Sequence, residues 1–259
     1  MVDKSLTVYL QEKKAGGQKI FVPYIVAGGN GLERLEDEIK TLAENGATAI
    51  ELGIPFSDPV ADGPIIQKAA LEAFKHNVTF KKIIEKLQVI HSPVPIVLMG
   101  YANSFFHYGL EKLLVDLEKT DVKGLIIPDV PYEHRELILP KLVQTDIALI
   151  QLVTLTSTKE RMQKLVEVGE GFIYAVTVNG TTGIGQTYRD SLNEHLAFIT
   201  QMSSIPVLAG FGVSTREQVQ RFNEFCDGTI VGSKLVASLA EEGVEATGRL
   251  VAELTGKNE

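Results

Sequence analysis

Short apolar runs alternate along this chain with stretches in which apolar residues recur every three or four positions. Eight runs read as strands: Ile20–Val26, Ala47–Gly53, Pro95–Gly100, Gly124–Asp129, Ile147–Thr154, Gly171–Val178, Pro206–Gly210 and Gly228–Gly232. Several are nearly continuous in apolar side chains, the pattern of parallel strands covered on both faces. Amphipathic segments lie between them. Leu32–Glu44, Phe80–Ile90, Lys159–Val168 and Glu217–Phe225 have helical spacing. Strands and helices that alternate this regularly imply βαβ crossovers. Eight such units predict an α/β fold, a (β/α)8 TIM barrel, with a doubly wound sheet as the alternative. Residues 3–14 read as an extra N-terminal helix closing the bottom of the barrel. No linker or shift of composition divides the chain, so residues 1–259 are expected to form a single (β/α)8 barrel domain.

Barrel enzymes carry their sites at the C-terminal ends of the strands. The segment Glu51-Leu-Gly-Ile-Pro-Phe-Ser-Asp-Pro-Val-Ala-Asp-Gly-Pro-Ile-Ile-Gln67 runs from such a strand end into the next helix. Alternation along Ala49–Gly53 sets Ala49, Glu51 and Gly53 on one face and Ile50 and Leu52 on the other. Glu51 therefore points away from the apolar side of its strand, where a carboxylate is costly unless it is used. Asp62 stands where the next helix begins, as a second acid of the site or as a helix cap. Asp129, before Val130-Pro131, either belongs to the rim of the site or pins a turn.

Three glycine clusters follow late in the chain: Gly180-Thr-Thr-Gly183, Gly210-Phe-Gly212 and Gly232-Ser233. Each alone reads as a turn. Together on one rim they suit a phosphate, held by backbone N–H groups and a helix N-terminus. A Schiff-base lysine is not in place: Lys123 precedes the fourth strand and Lys234 follows the last. The five histidines lack metal-ligand spacing, so no metal site is expected.

Composition removes other classes. Net charge is −8 in 259 residues and the pI is about 5.3, which argues against a nucleic-acid partner. No stretch is apolar enough to span a membrane. A single cysteine, Cys226, and an N-terminus without a signal-like apolar run predict a cytoplasmic protein.

The segment Glu51–Gln67, together with Tyr174, Thr182-Gly183, Gly210-Phe-Gly212 and Gly232-Ser233 in the same order and spacing, resembles the tryptophan synthase α-subunit family over essentially the whole chain. That resemblance implies retro-aldol cleavage of indole-3-glycerol phosphate to indole and glyceraldehyde 3-phosphate. It implies Glu51 as general acid/base and Asp62 as the acid that binds the indole N–H. Phe21, Ile66, Tyr101, Asp129, Tyr174, Thr182 and Phe211 would contact the substrate, and Gly183, Gly212, Gly232 and Ser233 its phosphate. Thr182 would ride on a mobile loop, residues 179–190. The family works as an αββα tetramer, whose β subunit carries pyridoxal phosphate; no cofactor is expected in this chain. Phe105 and Phe106, adjacent in a rim loop, read as a docking patch. Three rival readings keep the same fold: a stand-alone indole-glycerol-phosphate lyase, a non-catalytic phosphate-ligand-binding regulatory barrel, and a phosphosugar isomerase.

Overall fold

The computed structural model describes residues 3–154, 157–177, 186–210 and 212–257. Nine parallel strand segments form the sheet: β1 (Ile20–Val26), β2 (Ile50–Gly53), β3 (Ile96–Met99), β4 (Val122–Ile126), β5 (Ala148–Leu149), β6 (Gln151–Thr154), β7 (Ile173–Val176), β8 (Val207–Gly210) and β9 (Gly228–Val231). Their order is β5-β4-β3-β2-β1-β9-β8-β7-β6. The two end segments, β5 and β6, are joined through the single residue Ile150, whose N–H donates to the Leu125 carbonyl at 2.9 Å. The sheet therefore closes on itself. The run predicted as one fifth strand, Ile147–Thr154, is the seam, with one half paired to β4 and the other to β7.

Alternation along the strands builds two apolar layers. Ile20, Val22, Tyr24 and Val26 of β1, Ala49, Val97, Ile126, Phe172, Tyr174, Leu208 and Ile230 share one cluster inside the barrel. Phe21, Ile25, Ile50, Leu52, Ile96, Leu98 and Val207 belong to the outer layer, between strands and helices. Strands buried on both faces need apolar residues at odd and even positions alike, which is why the runs read as continuous.

The predicted bottom helix is Ser5–Ala15. Leu6 and Leu10 are fully buried within the inner cluster, and the Thr7 hydroxyl accepts from the Gly171 N–H at 2.7 Å. The helix plugs the N-terminal mouth of the barrel. Helix starts follow local chemistry. Thr79 accepts from the Lys82 N–H at the head of Phe80–Leu87. Thr215 and Gln218 form a reciprocal capping box at Arg216–Phe225. Ile83, Ile84 and Leu87 turn the apolar stripe of the former onto the sheet. No helix among the described residues is long and apolar enough to cross a membrane.

Candidate active site

A cleft of about 790 Å³ opens at the C-terminal ends of the strands. Its described lining includes Tyr24, Glu51, Asp62, Ile66, Met99, Ile126, Tyr174, Gly212, Gly232 and Ser233. The two predicted acids thus share one cavity. Glu51 is the third residue from the end of β2 and is only 3% exposed. Its parity puts it inside the barrel while Ile50 and Leu52 pack outward. Burial, and then the nearby charge of Asp62, push the Glu51 carboxyl up to about 8. Its Oε2 has no hydrogen-bond partner among the described residues. A buried, unpaired carboxyl oxygen facing a cavity is a poor structural element and a good proton carrier.

Asp62 reaches the cleft from the loop after β2. Burial raises its carboxyl, against the lowering effect of the Tyr101 hydroxyl beside it. It is not a helix cap: Gly63 occupies that position ahead of Pro64–Lys75, without a side-chain cap. The loop is clamped from behind. Ala61 donates its N–H to the Tyr101 hydroxyl at 2.9 Å, and Phe56 stacks on the Tyr101 ring at 4.9 Å. Tyr101 is 2% exposed and does not line the cleft. Sequence placed it in the pocket wall; the structure makes it the support of the loop that carries Asp62.

Phe21 requires a second correction. It stands early in β1 and faces the outer layer with Ile25, away from the cleft. Tyr24, three residues on, has the opposite parity, faces inward, and is paired in register with Glu51. Tyr24 is the β1 residue of the site. Its signal was present in the sequence: it shares the face of Val22 and Val26, and Phe21 does not. Ile66 and Tyr174 line the cleft. The two inward tyrosines fit because their neighbours lack side chains. A Cβ on Gly53 would come within 2.1 Å of the Tyr24 hydroxyl, and one on Gly210 within 2.5 Å of the Tyr174 ring.

Asp129 stands exposed on the rim. Its carboxylate accepts from the Ala102 N–H, at 2.9 and 3.2 Å from its two oxygens, and it does not line the cleft. That contact fastens the start of Ala102–Tyr108 to the β4 loop, the pinning role. Sequence reading missed a polar rim of Tyr132, Gln151, Arg161, Ser214 and Lys234. Gln151 opens β6, and the others sit on loops and helix starts that hydrophobic periodicity does not register.

Of the expected phosphate contacts, Gly212, Gly232 and Ser233 line the cleft. Gly212 lies in the left-handed region, at φ 74°, which L side chains rarely adopt. Gly232 is the N-cap of Ser233–Glu241, so that helix points its free N–H groups at the cleft. Thr182, Gly183 and Phe211 lie outside the described residues. So does the start of the predicted mobile loop, whereas residues from 186 onward already belong to the helix Gln186–Met202. None of the five histidines lines the cleft. Among the described residues no cluster of three His, Cys, Asp or Glu side chains could hold a metal.

The acids lie at the β2 side and the glycine rim at the β8–β9 side, with β1 and its Tyr24 between them. Two strand spacings separate β2 from β9, about 10 Å. That is the length of a molecule with a bicyclic aromatic at one end and a phosphate at the other.

Comparison with known proteins gives the same direction. Residues 10–258 match the family model for the tryptophan synthase alpha chain. The tryptophan synthase alpha chain of Streptococcus sanguinis is 51% identical over 241 residues, 92% of this chain and 93% of that one. The tryptophan synthase subunit alpha of Legionella pneumophila superposes with a TM-score of 0.89 at 27% identity, covering 100% of both chains. That of Campylobacter jejuni gives 0.86 at 31% identity, covering 93% of this chain and 98% of its own. The chain belongs to the tryptophan synthase alpha chain family.

Proposed function

We propose that this protein, as a tryptophan synthase α chain, cleaves indole-3-glycerol phosphate with Glu51 and Asp62 as its two working acids. The observation that carries the assignment is their joint placement in one cleft, opposite a glycine-lined helix N-terminus.

The C3–C3′ bond cannot break until the indole becomes a stable leaving group. A proton must first reach ring carbon C3, which puts positive charge on the ring nitrogen. Glu51, protonated up to about 8, has a proton to give at neutral pH. Asp62 accepts the ring N–H and stabilises the cation, an interaction strengthened in a site where water is scarce. The C3′ hydroxyl then loses its proton to the Glu51 carboxylate. The C3–C3′ electron pair returns to the ring, so indole and glyceraldehyde 3-phosphate separate. One proton enters at C3 and one leaves the hydroxyl, so Glu51 ends as it began. Ile66 and Tyr174, with Tyr24, hold the aromatic end. Gly212, Gly232 and Ser233 hold the phosphate, together with Gly183; Thr182 and Phe211 complete the substrate contacts.

The wider assignment is a single barrel domain over 1–259, working in the cytoplasm in an αββα tetramer. Pyridoxal phosphate belongs to the β subunit, which condenses the released indole with serine. The test is indole release from indole-3-glycerol phosphate by the isolated chain, and again with a β subunit. Weak activity alone, stimulated by the partner, is the expected result. Full activity alone identifies a stand-alone lyase. No activity in either condition leaves a phosphate-binding barrel and overturns the proposal.

A further inference from the structure

Only two cationic residues are among those described as lining the cleft, Arg161 and Lys234. Arg161 is already committed: its guanidinium makes a two-pronged pair with Glu133, one prong being Nη2 to Oε2 at 3.0 Å. The Lys234 ammonium has no ion pair or hydrogen bond among the described residues. It is the second residue of Ser233–Glu241, directly after the Gly232-Ser233 turn. It lies at the β9 end of the cleft, away from the two acids that are the only anionic residues among its described lining. The cleft is therefore polarised along the axis on which an elongated substrate must lie. Backbone N–H groups at a helix N-terminus supply a partial charge. A phosphate monoester is close to a dianion near neutral pH, and in a chain of net charge −8 its approach is opposed by the overall field.

We infer that Lys234 is a further phosphate-binding residue of this site, its ammonium supplying the full positive charge that the glycine rim lacks. The inference rests on the proposed reaction, because it takes the substrate phosphate to the β9 end. A lysine at this place acts as a mobile point charge, not a fixed fork. It contributes equally to substrate and transition state, since the phosphate does not react, and so acts on KM and not on kcat.

The test compares Lys234→Gln with the parent chain. Loss of one charge-assisted contact should raise KM for indole-3-glycerol phosphate about tenfold and leave kcat within about twofold. Inhibition by inorganic phosphate should weaken by a similar factor, and the dependence of KM on salt should flatten. Lys234→Arg should restore most of the affinity. A KM and a phosphate inhibition constant both within about twofold of the parent overturn the inference while the lyase assignment stands. Should the parent release no indole, the thermal shift produced by inorganic phosphate still decides the matter. A shift lost in Lys234→Gln supports the lysine's role, and an equal shift in both proteins refutes it.

Discussion

At the residue scale the site turns on one carboxyl. Removing the proton of Glu51 while keeping its shape separates chemistry from packing. Glu51→Gln should lower kcat by about 10²–10⁴-fold, the usual contribution of a general acid/base, with KM changed little. Steady-state indole release measures this, and a loss under threefold would remove Glu51 from the mechanism. The same residue makes a stability prediction of opposite sign. Burial holds the folded carboxyl protonated up to about 8, while an unfolded glutamate ionises near 4.3. Between those values the folded state binds more protons than the unfolded one, so stability falls as pH rises through the window. Glu51→Gln has no such loss. It should melt level with the parent near pH 4 and above it at pH 8.5, by at least about 2 °C, the shift that 1 kcal/mol gives in a chain of this size. Melting curves that stay parallel at both pH values would show that the carboxyl is not held neutral by the fold.

At the scale of elements, alternation decides which side of a strand does what. Phe21 and Tyr24 are three residues apart on β1 and have opposite duties. Phe21→Ala should cost about 3–5 kcal/mol of stability and leave the KM of the folded fraction unaltered. Tyr24→Ala should impair kcat/KM more than its loss of stability explains. Denaturant unfolding beside steady-state kinetics separates the two, and a Phe21 variant with selectively raised KM would contradict the assigned parity. The barrel itself was legible because strands covered on both faces must be apolar throughout, as in Gly124-Leu-Ile-Ile. The helix at the bottom was legible too, although its weak stripe is only Leu6 and Leu10. The seam at Ile150 was not. Hydrophobicity does not distinguish one strand from two that pair with different neighbours. That Glu51 and Asp62 share one cleft was legible from a long, specific motif. Tyr101 was misplaced because its contacts with Ala61 and Phe56 bridge forty and forty-five positions of sequence, beyond any local pattern. Asp129 was left open between rim and pin, and only the Ala102 N–H, 27 positions earlier at the start of a helix, resolves it.

At the scale of the whole molecule, the catalytic rim carries more exposed apolar surface than its own fold uses. Adjacent phenylalanines in Ala102–Tyr108 have separated: Phe105 is 1% exposed, edge-on to Phe80 at 5.6 Å, whereas Phe106 is 46% exposed. Val60, in the loop leading to Asp62, is 84% exposed. The helix bearing Phe106 is tied to the β4 loop through Asp129, and the loop bearing Val60 is tied to Tyr101, the residue just before that helix. A partner that covers Phe106 and Val60 would therefore press on the support of Asp62. Coupling of this kind links partner binding to the order of a catalytic loop without any partner atom entering the site. Phe106→Asp places a charge on that surface at a side chain that is nearly half exposed. It should weaken association with a β subunit at least tenfold, about 1.4 kcal/mol, and abolish its stimulation of indole release at subsaturating partner. The basal activity and melting temperature of the isolated chain should not move. Phe105→Asp should instead unfold the chain, being a charge buried in the core. Titration of each variant with β subunit, followed by calorimetry and by indole release, distinguishes these outcomes. Undiminished affinity in Phe106→Asp would place the docking surface elsewhere on the barrel.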